Sequence, residues 1–92
     1  MTVSYKFLTI EDKEVRLIGY KLKLSPSERT LLAAIADRDG ASIEELLPLL
    51  TEGISRGNVA VHINAINKKA ESISSRKLVL FENEKYVINP YM

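Results

Sequence analysis

The sequence contains no cysteine and no tryptophan, and it has a single histidine, His62. The lack of cysteine excludes disulfide bonds, thiol catalysis and cysteine-ligated zinc sites within this chain. No apolar run approaches the roughly 18 residues that a membrane-spanning helix needs, and the N-terminus lacks the apolar core of a signal peptide. We therefore expect a soluble, cytoplasmic protein with no membrane partner.

Residues that could support catalysis are equally scarce. The four glycines are scattered singly, so the sequence has no glycine-rich phosphate loop. The acidic pairs Asp37/Asp39 and Glu44/Glu45 flank expected helix ends, where solvated charges explain them better than an acid–base pair does. His62 lies beside an apolar helical stripe, which favours a packed side chain. We expect no catalytic residue, metal or cofactor, and we do not expect an enzyme.

The 92 residues suffice for one domain, residues 1–92, and 46% of them are apolar, as in a globular protein. The net charge of +1 conceals an uneven distribution. Residues 25–53 carry a balance of −4, whereas residues 54–77 carry a balance of +4. An almost neutral protein can still present one basic face, so an anionic partner is expected at residues 54–77.

Residues 1–24 predict an antiparallel meander of three strands. Val3, Tyr5, Phe7 and Thr9 alternate with polar or smaller residues at period two, and we expect this row to be buried. The same alternation resumes from Val15 to Leu24. Gly19-Tyr20 suits a tight hairpin because glycine tolerates positive φ.

Two capping boxes predict the first two helices of a three-helix core spanning residues 25–72. Ser25-Pro26-Ser27-Glu28 combines a serine N-cap, a proline at the first helical position and a glutamate at N3. Gly40 is expected to end this helix. Ser42–Glu45 is the second box, and Pro48 predicts that its helix is short, kinked or tightened near residue 47.

The third helix is predicted from about residue 55 or 57 to about residue 72. At about 100° per residue, one set of side chains forms an apolar stripe that we expect to be buried: Val59, Ile63, Ile66 and Ala70. The opposite face carries mainly small and polar residues, namely Gly57, Val61, Asn64, Ala65 and Lys68.

A β-hairpin is predicted over residues 77–89, with strands at 78–81 and 85–88 and a polar turn between them. The fold class is therefore α+β: an N-terminal antiparallel sheet, three helices and a C-terminal hairpin. Three helices followed by a hairpin form a winged helix-turn-helix, whose third helix enters the DNA major groove.

The third helix lies in the most basic segment, so duplex DNA is the expected partner. On its outward face Asn64 can pair with adenine, while Val61 and Ala65 suit the thymine methyl group. The other candidate DNA-binding residues supply mainly positive charge for phosphates: Arg56, Asn58, Lys68, Lys69, Arg76, Lys77 and Lys85.

From about Leu17 to Ile88 the chain resembles the winged-helix DNA-binding (effector) domain of OmpR/PhoB-type response regulators. Leu24-Ser-Pro-Ser-Glu28 with Leu31-Leu32 is similar to that family's L-T-x-x-E-x-x-L-L motif. Val59-Ala-Val-His-Ile63, followed by Ile66 and Lys69, is similar to its V-x-V-H-I-x-x-L-R-x-K helix. Tyr86-Val-Ile88 stands where the family's wing ends. The resemblance implies a bacterial transcriptional regulator or its effector domain.

The recognition helix is atypical for that family, which usually has arginine at the positions of Ala65 and Asn67. The wing turn carries Glu82 and Glu84, which repel phosphate, and Lys85 replaces a glycine. These departures favour a second hypothesis, a winged helix that contacts a protein through Val61 and Ala65, with little or no DNA binding. RNA polymerase or another regulator is then the expected partner, and pairing of two copies along the N-terminal strands is a further expectation.

Overall fold

The computed structural model describes residues 3–5, 7–11, 14–49 and 56–90, and for residues 3, 5 and 56–58 it describes the backbone alone. Within this part the elements run in the order β1 (Val3–Tyr5), β2 (Leu8–Ile10), β3 (Val15–Leu17), β4 (Tyr20–Leu22), α1 (Pro26–Asp37), β5 (Ala41–Ser42), α2 (Ile43–Leu46), a 3-10 turn (Leu47–Leu49), α3 (Arg56–Ser74), β6 (Val79–Glu82) and β7 (Lys85–Ile88).

The N-terminal residues form a four-stranded antiparallel sheet in the order β1-β2-β3-β4, not the three strands predicted. The predicted single strand over residues 3–9 is two strands, because the chain turns between Tyr5 and its partner Leu8. The turn also changes which side chains face inward. Leu8 and Ile10 are buried, whereas Phe7 and Thr9 are only half-buried. The predicted buried row is therefore wrong in β2, and the side chains of residues 3 and 5 lie outside the described part.

Helix α1 begins as predicted. The Ser25 hydroxyl accepts a hydrogen bond from the Glu28 amide, and the Glu28 carboxylate accepts one from the Ser25 amide at 2.8 Å. At the other end Asp39, with φ +53°, takes the left-handed conformation that terminates the helix. Gly40 follows with φ +117°, and a Cβ there would stand 3.2 Å from a methyl group of Val87. Gly40 therefore allows both the turn and the close approach of the chain at Val87.

Helix α2 is a single turn, as the proline predicts. Its capping box forms between Ser42 and Glu45, and the chain tightens into the 3-10 turn that contains Pro48. Just before this helix lies a feature that sequence analysis missed, the two-residue strand β5, in which Ala41 pairs with Tyr86. Residues 50–55 lie outside the described part.

Helix α3 runs two residues beyond its predicted end. The expected apolar stripe is buried in full: Val59, Ile63, Ile66 and Ala70. Helix α1 contacts β1 and β7, and α3 contacts β4 and β6, so the helices pack between the two sheets. Burial of this stripe against α1 and both sheets is what holds the opposite face of α3 outward.

The C-terminal hairpin, which we call the wing, forms a three-stranded sheet in the order β5-β7-β6. Asn83 (φ +50°) and Glu84 (φ +63°) form its turn, with positive φ at both positions as in type I′ turns. The fold is thus the predicted α+β winged helix-turn-helix. Among the described helices, none has the length and apolarity that crossing a bilayer requires.

Candidate nucleic-acid interface

The outward face of α3 is the candidate interface, and its side chains point away from the core. Val61 is 63% exposed, and Asn64 and Lys68 are also exposed. Ala65 is half-buried. The helical pattern assigned these four positions to the outward face, because the buried stripe occupies the other side of the helix. The fifth residue assigned to that face, Gly57, is described by its backbone alone.

A cation from outside the helix joins this face. Lys77, in the segment between α3 and β6, lines a cleft of about 330 Å³ together with Asn64, Asn67, Lys68 and Glu71. Because these residues line one cleft, a single ligand there could contact two cations and an exposed side-chain amide. We call the exposed residues Val61, Asn64, Lys68 and Lys77, together with half-buried Ala65, the outer face.

Acidic side chains interrupt the positive charge. Glu71 is exposed and lines the same cleft as Lys68 and Lys77. At the wing, Lys85 is exposed and lies directly opposite Glu82 in the β6–β7 register. The charge of Lys85 is therefore offset locally, so the wing offers less to phosphate than the outer face does.

Lys69 faces away from the outer face and toward α1. Its Nζ lies 2.7 Å from Oε1 of Glu28, whose side chain is almost fully buried. Burial raises the pKa of the Glu28 carboxyl, but hydrogen bonds from Lys69 and the Ser25 amide outweigh burial and hold that pKa below its ordinary value. The structure thus gives Lys69 a partner within the molecule and separates it from the other predicted cations.

The remaining candidates occupy the two ends of α3. Arg76 is exposed just beyond its C-terminus. Arg56 and Asn58 belong to its first turn, and their side chains lie outside the described part. His62 is half-buried on the same helix. Among the described residues there is no group of three or more side chains suited to holding a metal ion.

Asn67 has a structural role that sequence analysis does not predict. The resemblance marks it as a position where the family usually has arginine, and here its side chain is only 8% exposed. Its Nδ2 donates to the carbonyl of Val79 at 3.0 Å, and its Oδ1 accepts from the amide of Val79 at 2.8 Å. At about 100° per residue Asn67 lies about 80° from Val59, beside the buried stripe, and this angle was the available signal.

The wing carries an aromatic pair facing α3. The rings of Phe81 and Tyr86, partners in the β6–β7 register, have centroids 4.9 Å apart and are tilted by 56°. Phe81 is 56% exposed, and both rings line a groove of about 440 Å³ that is also bordered by Asn64 and Lys77. This groove separates the outer face from the wing.

Comparison with known proteins identifies the fold. No model of a known protein family matches the sequence, and no curated protein matches it significantly. Solved structures do match. The DNA-binding domain of the response regulator AdeR, in complex with an intercistronic region, aligns with a TM-score of 0.81 and 17% identity over 94% of this chain and 97% of that chain.

Two further structures have the same architecture. The DNA-binding domain of RstA from Klebsiella pneumoniae, in complex with the RstA box, has a TM-score of 0.73 and 26% identity over 98% of both chains. The DNA-binding domain of CpxR from E. coli has a TM-score of 0.66 and 22% identity over 96% of this chain and 95% of that chain. The resemblance to OmpR/PhoB-type effector domains is therefore confirmed, and this chain has their winged-helix fold.

Proposed function

We propose that this chain is the DNA-binding domain of a transcriptional regulator and that α3 lies in the major groove of duplex DNA. The observation that carries the proposal is the outer face, where Lys68 and Lys77 line one cleft together with the exposed side chain of Asn64. Two of the structural neighbours were solved in complex with DNA, which supports DNA binding by a domain of this fold. A winged helix uses this helix for base readout and the wing for the flanking backbone.

Each side chain of the outer face has a role in this proposal. Asn64 donates to and accepts from the edge of an adenine, and Val61 and Ala65 contact thymine methyl groups. Lys68 and Lys77 bind phosphates on either side, and exposed Arg76 adds a third phosphate contact. Arg56 and Asn58, in the first turn of α3, are further candidates. Lys69 is left out because Glu28 holds it.

The test is a charge reversal at Lys68. Lys68→Glu should abolish or severely weaken binding to duplex DNA and lower the slope of log K against log salt by about 1, because one phosphate contact is lost. Lys23→Glu makes the same change in charge at an exposed position beside β4 and is the matched control. Fluorescence anisotropy measures both affinities, and circular dichroism checks that each variant folds.

Equal losses for the two variants would show that only net charge matters and would remove the outer face from the proposal. A Lys68→Glu variant that binds as tightly as the parent would do the same.

A second function is favoured by a specific observation. Val61 and Phe81 are large apolar side chains that are more than half exposed, and the acidic side chain of Glu71 lines the same cleft as Lys68 and Lys77. These features suit a winged helix that docks on a protein, for example RNA polymerase, another regulator or a second copy of the chain. A parent protein that fails to bind duplex DNA at low salt supports this candidate over the first.

A further inference from the structure

The wing is joined to α3 by the side-chain amide of Asn67, which pairs with the free backbone edge of β6 where a neighbouring strand could otherwise pair. Strand β6 is an edge strand, because the order of the wing sheet is β5-β7-β6. At the first residue of this edge, Val79, both backbone hydrogen-bonding groups pair with the side chain of Asn67. The amide of Asn67 thus presents to β6 the donor and acceptor that a further strand would present.

A second asparagine holds the same segment from the other side. Nδ2 of Asn89 donates to the carbonyl of Lys77 at 2.9 Å, and the Asn89 amide donates to the carbonyl of Leu78 at 2.8 Å. Asn89 is 8% exposed, so its side of this bond is shielded from solvent. Three consecutive residues, 77–79, are therefore fixed between α3 and the end of β7.

These contacts set where Lys77 stands. Lys77 belongs to the fixed segment, and its side chain lines the cleft that Asn64 and Lys68 line from α3. Buried amide hydrogen bonds of this kind are costly to break, because each leaves a backbone group of the wing without a partner. The angle between α3 and the wing is thereby held in one arrangement.

We infer that Asn67 and Asn89 are positioning residues, which hold the wing against α3 so that Lys77 and the outer face engage one DNA duplex together. The inference rests on the proposed DNA binding. Its consequence is specific to this chain: an arginine at position 67, the residue that OmpR/PhoB-type domains usually have there, weakens DNA binding here because it breaks the contact with Val79.

A double-mutant cycle between Asn67 and Lys77 tests the inference. In the parent background, Lys77→Ala should weaken duplex binding. In the Asn67→Ala background, where Val79 loses its contact with α3, Lys77→Ala should weaken duplex binding by a factor at least about threefold smaller, since residues that depend on one hydrogen-bond network are not additive. Val15→Ala, in the buried row of β3, is the control for general destabilisation. In that background Lys77→Ala should weaken duplex binding by the same factor as in the parent.

If Lys77→Ala weakens binding by the same factor in the parent and in the Asn67→Ala background, the inference is wrong. If Asn67→Ala does not fold, the cycle is run with Asn89→Ala, which removes the side-chain hydrogen bond to the carbonyl of Lys77, and the same criterion applies.

A readout without DNA separates this inference from the proposed function. Residual dipolar couplings of the free protein report the orientation of the wing relative to α3. In the parent, one alignment tensor should fit the couplings of the wing and of α3. In Asn67→Ala, the couplings of the wing should require a separate tensor. A parent that binds no DNA removes the proposed function, whereas a common tensor in both proteins removes the positioning role.

Discussion

Glu28 stabilises both the start of α1 and the contact between α1 and α3. Its carboxylate closes the capping box of α1 and also binds Lys69 of α3, although it is only 5% exposed. Because its pKa is lowered in the folded protein, its ionised form stabilises the fold. That contribution is fully present above the pKa of the unfolded carboxyl, about 4.3, and is lost as the pH falls through the lower pKa of the folded state.

Glu28→Gln should therefore lower the free energy of unfolding at pH 7 by about 1–2 kcal/mol, because glutamine keeps the capping geometry but loses the charged hydrogen bond with Lys69. The difference between parent and variant should shrink as the pH falls from about 4.3 to 3. Urea denaturation at several pH values measures it. Glu45→Gln, the equivalent change in the exposed capping box of α2, is the control and should have the smaller effect. A loss that is the same at pH 7 and pH 3 would contradict the role of the ionised carboxylate.

Asn64 and Asn67, two asparagines on α3, show what helical spacing can predict about a single residue and what it cannot. Asn64 could be assigned to the outward face from helical spacing, and it is exposed. Asn67 has the same chemistry but lies beside the apolar stripe, and its partner, Val79, is twelve residues away on another element. A contact of that kind depends on how the wing packs against α3, and spacing along one helix does not contain that information.

At the scale of elements, local signals predicted the helices better than the strands. Both capping boxes form as predicted, because each is made by residues three apart in sequence. The first predicted strand divides into β1 and β2 and buries the other row of side chains, because a period-two pattern fits either face of a strand and a turn before Leu8 exchanges the faces. Strand β5 could not be predicted, since its two residues become a strand only through pairing with β7.

The β3–β4 turn is strained in a way that one substitution should relieve. Ile18 and Gly19 both have positive φ, and Ile18, a β-branched residue, is 45% exposed. Ile18→Asn creates the Asn-Gly pair that type I′ turns prefer. It should raise the free energy of unfolding by about 1 kcal/mol, since the left-handed conformation costs an ordinary residue about 1–2 kcal/mol.

Chemical denaturation measures this gain. Ile18→Val, which keeps the branched side chain and its strain, is the matched control and should give none. An Ile18→Asn protein less stable than the parent would show that the apolar contacts of Ile18 matter more than its backbone conformation.

At the scale of the whole molecule, the fold places cations that are close in sequence on different surfaces. The +4 segment contains the outer face, but Lys69 is directed to Glu28 and the wing turn remains acidic. The winged-helix fold could be predicted from element order and from the resemblance. The size of the cationic surface could not, because it depends on which lysines are paired across elements.

The central claim, that the outer face binds duplex DNA, is tested most directly by the salt dependence of binding. Fluorescence anisotropy of the protein with a mixed-sequence duplex, at about 50 and about 200 mM salt, measures it. Three phosphate contacts, from Lys68, Arg76 and Lys77, predict that affinity falls by about 40-fold between these concentrations, at about 0.9 in log–log slope per contact. No binding at the lower salt concentration, or an affinity that does not change with salt, would contradict the account.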